Sequence, residues 1–174
     1  MSSKKPGGRG PLTSPVFFGK VRYPIGDSMK KGIDYIGVGV GAVILDQDNR
    51  VFLAKRGAEA RNERHRWEFP GGSVEFNERL EDALVREVRE EYGFEVVVER
   101  LLDVVNHIIP DEHQHWVSPT FLCRYQSGTP SIREPHKCEQ IGWFELGRIP
   151  ESDLTIASKN SLESLRKGLR FSHE

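Results

Sequence analysis

Apolar residues along this chain gather in short runs separated by turn-forming clusters, and the spacing changes character once in the middle and once near the end. From Tyr35, the run YIGVGVGAVIL, the polar DQDNR and the run VFLAKR predict strand, turn, strand. KRGAEARNERHRW is basic and turn-like and predicts a loop, and WEFPGG predicts a short strand ending at proline and paired glycines. The spacing then shifts to helical, with Leu80, Ala83, Leu84 and Val88 on one face of a helix over about 78–92. EVVVERLLDVVNHII predicts one or two strands, PDEHQHW a hairpin tip, WVSPTFLCRYQ a strand, SGTPSIREPHKCEQ a loop and IGWFEL a last strand. The stretch IPESDLTIASKNSLESLRKGL, with Leu154, Leu162 and Leu165 among its apolar positions, carries a closing helix over about 155–167. Many strands with one helix inside and one at the end point to an α+β sandwich rather than a regular βαβ array. Residues 1–15 are Gly, Pro, Ser and Lys with little to bury and are expected to be disordered. Residues 16–34 predict an arm or short strand packed on a domain over 35–170.

GVGVGAV is not a dinucleotide-binding fingerprint, because its glycines lead into more strand and a hairpin instead of opening a helix. Small residues on one strand face predict close approach by another backbone or by a ligand.

The middle helix holds an anomaly. At 100° per residue, Glu87 and Glu91 fall inside the apolar sector and Glu90 beside it, while Arg79, Asp82, Arg86 and Arg89 point largely the other way. Glu87 is three residues from Glu90 and four from Glu91, so the carboxylates converge and repel. Desolvating even one such charge costs several kcal/mol unless compensated. A solvated helix end paired with arginines is the ordinary explanation, but the arginines lie opposite. A cluster for hard divalent cations, which prefer carboxylate oxygens, water and substrate phosphates, accounts for the pattern better. Gly93 suits the left-handed residue that ends a helix, with Phe94 packing back on the last turn. Asn77 is the expected N-cap, and Pro70-Gly71-Gly72 the expected turn beside the helix.

Composition narrows the function. The chain has 174 residues, enough for one domain with a substantial core. Its 25 Lys and Arg against 26 Asp and Glu leave a formal charge of -1, which argues against an extended nucleic-acid surface. Cys123 and Cys138 form no CxxC pair and read as free thiols. No apolar run approaches the ~20 residues needed to span a bilayer, and the first residues lack the apolar core of a secretory signal. A cytoplasmic protein is expected.

Gly72, Glu78, Arg86, Glu87, Val88, Glu90, Glu91, Gly93 and Phe94 stand at every specified position of a 23-residue pattern. This segment resembles the Nudix box, and the resemblance extends over roughly 35–165. Arg79 departs from the Ser or Thr that many members carry there. The resemblance implies an α/β/α sandwich with a mixed central sheet, and Mg2+-dependent hydrolysis of a nucleoside diphosphate linked to a group X, with Mn2+ able to substitute. Carried over by position, Glu87, Glu90 and Glu91 with the Gly72 carbonyl would hold the metal. One of them, or a carboxylate from a downstream loop, would activate water. Arg86 would orient the glutamates, and Glu78 would bond to the helix and loop.

Outside the box, Arg56 and the loop residues Arg61, Arg64 and Arg66 are candidates for substrate phosphates. His113 and His115 read as a polar hairpin tip, with no nearby third ligand. Glu139 precedes the last strand, where the resemblance places a further catalytic or substrate-contacting carboxylate. Trp143 and Phe144 fit either a base-stacking or a core role. EPHKCEQIGWF with the GVGVG strand is similar to members acting on nucleoside triphosphates, including oxidised purine nucleotides. Pro110, 16 residues after Phe94, has the spacing of ADP-ribose hydrolases. RNA 5′-end pyrophosphate removal ranks third, without support from the charge balance. A nucleotide sensor or an isomerase on the same fold are further alternatives, set against a complete box. A small nucleotide is the expected partner, no membrane is expected, and a homodimer is left open.

Overall fold

The computed structural model describes residues 17–18, 21–22 and 29–171. The tail expected to be disordered over 1–15 lies outside them. Two short strands, β1 (Phe17–Phe18) and β2 (Val21–Arg22), pair antiparallel. The main sheet is built from β3 (Gly37–Leu45), β4 (Val51–Arg56), β5 (Trp67–Glu68) and β6 (Gly71–Ser73), followed after the helix by β7 (Phe94–Ile109), β8 (Gln114–Gly128) and β9 (Cys138–Phe144). Its order is β5-β4-β3-β8-β7, with β6 also on β3 and β9 also on β4. Only the β3–β8 pairing is parallel, so the sheet is mixed.

Strands β3 and β4 are apolar almost throughout because both of their faces are covered. Val40, Ala42, Ile44, Phe52 and Ala54 pack under the helix α1 (Leu80–Tyr92), against Ala83, Leu84 and Val88. Val43, Leu45, Val51 and Leu53 pack on the other side with Leu162 and Leu165 of α2 (Ile156–Phe171). Alternation along a strand thus feeds two cores, giving an α/β/α sandwich. Phe52 sits edge-on to Tyr92, Phe94 and Trp143, and Trp67 edge-on to Phe144. Trp143 and Phe144 are therefore packing residues. Both cysteines are buried free thiols. No helix among the described residues is long and apolar enough to cross a membrane.

Two local expectations change, those for Gly71-Gly72 and for Asn77, and two are met. EVVVERLLDVVNHII is a single 16-residue strand with Phe94, its pairing with β8 interrupted by register shifts that absorb extra residues. Gly71 and Gly72 do not merely turn: they form β6 against Gly39–Gly41, where a Cβ on Gly71 would lie 2.2 Å from the Val40 carbonyl oxygen. The helix begins at Leu80 with Arg79 as its uncapped N-cap, whereas Asn77 lies before it in a left-handed conformation, φ 66. At the far end, Gly93 is left-handed, φ 75, and donates its N–H to Arg89 O at 3.1 Å.

Candidate active site

The last two turns of α1 and the strand β6 form one wall of a cleft of about 610 Å3. Glu87 and Glu91 line it, joined by Glu68 from β5 and Glu134 from the loop after β8. Contact between helix and strand is tight at one point: a Cβ on Gly72 would lie 2.0 Å from the Glu87 carboxyl carbon. Any larger residue at 72 would push the Glu87 carboxylate out of this position.

Arg86 organises this wall, and here the helical projection misleads. On the helical projection Arg86 falls outside the apolar sector, but its guanidinium reaches the carboxylates of the wall. Its guanidinium donates to Glu78 at 2.7 and 3.0 Å, to Glu87 at 3.0 Å, to Glu90 at 3.1 Å and to the Ser73 carbonyl at 3.1 Å. The planar fork carries five donors and reaches all of these oxygens at once, where an ammonium has only three. Glu78 also accepts from the Glu75 backbone N–H at 3.0 Å, which closes the loop over the helix start in place of a side-chain cap. Hydrogen bonding to Arg86 holds the Glu78 carboxyl down at about 2.

The carboxylates beyond Arg86 are in a different state. Burial pushes Glu91 up to about 8, aided by the charges of Glu87 and Glu68. Glu87 and Glu68 are also raised, each mainly by burial, with Arg86 and Arg56 respectively opposing. Glu90 differs from both: its side chain is 60% exposed and rests on Arg86. The cleft thus contains several acidic side chains whose ionised forms lack sufficient cationic compensation. Hard divalent ions fit such a donor set, and Glu87, Glu91, the exposed Glu90 and the carbonyl of Gly72 are the groups that would hold one. Among the described residues no three His, Cys, Asp or Glu side chains form a ready-made cage. Mg2+ takes one or two carboxylates and completes its shell with water and substrate phosphates.

The floor is the open sheet face of β3, β8 and β7. Gly39 and Gly41 lie beside Ser118 and Thr120, and Cβ atoms on them would stand 3.0 Å from those hydroxyls. The small residues of GVGVG therefore accommodate neighbouring strand side chains and the β6 backbone. Farther along lie Val105, His107, Gln114 and Trp116, with Thr155, Ser158 and Ser161 from the α2 side. His107 Nε2 is buried without a hydrogen-bond partner, with Glu63 Oε2 3.8 Å away.

Several sequence candidates sit elsewhere or are already engaged. Glu139 does not line the cleft; it is clasped by Lys55 and His65, each at 2.9 Å. Cys138 points inward to the core, so strand alternation turns its neighbour Glu139 outward. The loop carboxylate that does reach the cleft is Glu134, paired with Lys137 at 2.7 Å. Arg56 lines the cleft, but its donors go to Glu68 at 2.5 Å and to Asn62 at 2.7 and 2.8 Å, so it braces the 57–66 loop. Arg64 and Arg66 donate to the carbonyls of Ala60 and Ser152, and only Arg61 of that loop's arginines lines the cleft. His115 bonds to Asn106, and His113 is the left-handed cap of the hairpin tip. Pro110 begins that tip and lies outside the cleft lining. Glu68, Glu134 and His107 had no sequence signal beyond residue type, since only the folding of β5, β7 and a loop unites them.

Comparison with known proteins bears on the family and the fold. The NUDIX domain profile matches residues 36–165. The chain is 48% identical over 71 residues to a Proteus vulgaris 8-oxo-dGTP diphosphatase, a match covering 41% of this chain and 62% of that protein, less than two thirds of its length. It is 36% identical over 126 residues to the 8-oxo-dGTP diphosphatase of Escherichia coli K12, covering 72% of this chain and 92% of that one. Among solved structures, a MutT NUDIX hydrolase from Burkholderia pseudomallei superposes with a TM-score of 0.67 at 40% identity, covering 75% of this chain and 98% of that one. With its complete box folded onto a carboxylate-lined cleft, this chain belongs to the NUDIX family.

Proposed function

We propose that the chain hydrolyses a diphosphate bond of a nucleoside triphosphate, with oxidised purine nucleotides the favoured substrates. The observation carrying this reading is the group of Glu68, Glu87 and Glu91 in one cleft, with Glu91 pushed to about 8. Such a cluster is costly in the free protein and is relieved by divalent cations and the phosphates they bring. The two diphosphatase relatives act on 8-oxo-dGTP by name, which favours an oxidised purine nucleotide here. Pro110, the residue behind the ADP-ribose alternative, stands on the hairpin tip outside the cleft lining.

Bound Mg2+ would neutralise phosphate oxygens and lower the pKa of the attacking water. The residues of the chain do the rest. Arg86 holds Glu87 and Glu90 in place through its fork, and Glu78 holds Arg86. Glu91 or Glu134 accepts the proton of the water as its oxygen bonds to phosphorus. The P–O–P bond breaks on the opposite side, and the bridging oxygen leaves with pyrophosphate. His107 stands on the cleft floor with its Nε2 buried, 3.8 Å from Glu63 Oε2.

The test is turnover across a nucleotide panel with and without Mg2+, reading monophosphate and pyrophosphate. A Glu90→Gln/Glu91→Gln double variant that stays fully active would sink the mechanism. Best turnover on ADP-ribose would transfer the assignment to a nucleotide-sugar pyrophosphatase.

A further inference from the structure

A second cavity of about 350 Å3 adjoins the first and shares Arg61, Ser73 and Trp116 with it; Lys30, Lys31 and Ile33 complete its lining. Residues 30–33 precede the segment matched by the family profile. They are nevertheless fastened to the cleft. Asp34 N–H donates to Lys30 O at 2.9 Å and the Lys30 N–H to Asp34 Oδ2 at 2.7 Å, closing a tight turn. The His115 N–H donates to Gly32 O at 2.8 Å, and Lys31 Nζ to Val74 O at 3.0 Å. Gly32 has φ +76, and a Cβ there would lie 2.3 Å from the Trp116 ring. Only glycine lets this turn lie flat on the indole. The Arg61 guanidinium covers the same ring at 5.6 Å from its centroid.

Resting on the pyrophosphohydrolase reading, we propose that Lys30, Lys31 and Arg61 form an anion subsite for a phosphate beyond the one held at the carboxylate wall. The charge distribution within the joined cavities points there. Arg56 is committed to Glu68 and Asn62, and Lys137 to Glu134. Lys30 Nζ has no ion-pair or hydrogen-bond partner among the described residues, Arg61 has only the indole face, and Lys31 keeps two N–H donors beyond its one bond. Ser73 stands one residue from Gly72 on β6, about 3.3 Å along the strand. A polyphosphate can therefore meet the carboxylate wall at one phosphate and the cationic rim at a neighbouring one. A diphosphate esterified at both ends carries fewer negative charges than a terminal triphosphate and gains less from the cationic rim. The subsite thus selects triphosphates through a segment lying before the family core.

Calorimetry of the full chain with inorganic tripolyphosphate, in the absence of divalent metal, reads this site directly. Lys30→Glu/Lys31→Glu is expected to weaken uptake about tenfold or more, as loss of charge-assisted hydrogen bonds does. Lys30→Glu alone keeps the Lys31 anchor on Val74 and is expected to weaken it in the same direction. Lys30→Arg/Lys31→Arg should retain it. Arg148→Glu makes the same charge change at a side chain lining neither cavity and should leave uptake as in the wild type. In kinetics, the double reversal should raise KM for a nucleoside triphosphate more than for a nucleotide sugar, with kcat kept. Wild-type protein that takes up no tripolyphosphate, or reversal variants that bind it unchanged, overturn the subsite. Uptake lost on reversal in a protein that hydrolyses no nucleotide leaves the subsite standing and removes the pyrophosphohydrolase reading instead.

Discussion

Gly72 and Glu87 touch so closely that one added methyl group at 72 would lie 2.0 Å from the Glu87 carboxyl carbon. The strand before the helix therefore sets where the helix presents its carboxylate. Gly72→Ala should displace Glu87 without exposing either core. A loss of roughly 10–100-fold in Mg2+-supported turnover is expected, the usual size for disturbing a group that orients a metal ligand. Circular dichroism should remain that of the wild type; unchanged turnover would mean that Glu87 can move freely.

Arg86 makes the next prediction. Arg86→Lys keeps the charge but loses the fork that serves Glu78, Glu87, Glu90 and the Ser73 carbonyl. A loss of about 2 kcal/mol in urea denaturation is expected from the broken charged hydrogen bonds. kcat should fall with it, because Glu87 and Glu90 lose their common anchor. An Arg86→Lys variant with wild-type stability and kcat would show that charge alone is sufficient.

Glu91 predicts a pH dependence with a definite sign. Its folded pKa, about 8, lies above the ordinary 4.5, so between those values the folded protein holds a proton that the unfolded chain has released. Stability of the metal-free protein should then fall as pH rises through that window. Metal binding must displace the same proton, so the rise in Tm on adding Mg2+ should be larger at pH 8 than at pH 5. Differential scanning fluorimetry at both pH values, with and without Mg2+, reads the trend.

Glu91→Gln should separate stability from activity. Removing a buried acid that competes with Glu87 and Glu68 should flatten the metal-free pH profile. The same change should abolish most turnover and reduce the Mg2+-induced rise in Tm. A variant that keeps the steep profile would place the responsible proton on another group.

Glu139→Gln is expected to leave kcat/KM as it is. Its carboxylate faces Lys55 and His65 and not the cleft, and Lys55 with His65 holds its pKa below the ordinary value. By contrast, Glu134→Gln should lower kcat. The opposite pattern in steady-state kinetics would return the downstream catalytic role to Glu139.

Local rules served well wherever a side chain's task is set by its neighbours in the chain. Gly93 ends α1 as its lack of a Cβ permits, and the alternation in β3 and β4 feeds two cores as a doubly covered strand must. They failed where long side chains or distant strands decide. Asn77 looked like a cap, yet Glu78 and Arg86 close that loop across eight residues. Arg86 projected away from the cleft on a wheel, because a wheel records the direction of Cβ and ignores a flexible chain of several bonds.

By itself the sequence determined the sandwich, the helix with its three glutamates and the family pattern, since periodicity and fixed spacing are properties of contiguous residues. Tertiary structure alone decided which charges share an environment. It brought Glu68 and Glu134 beside Glu91, turned Glu139 outward, and buried His107 Nε2 without a hydrogen-bond partner. Desolvation and Coulomb repulsion depend on distance and burial in space, and neither quantity is written in the order of residues.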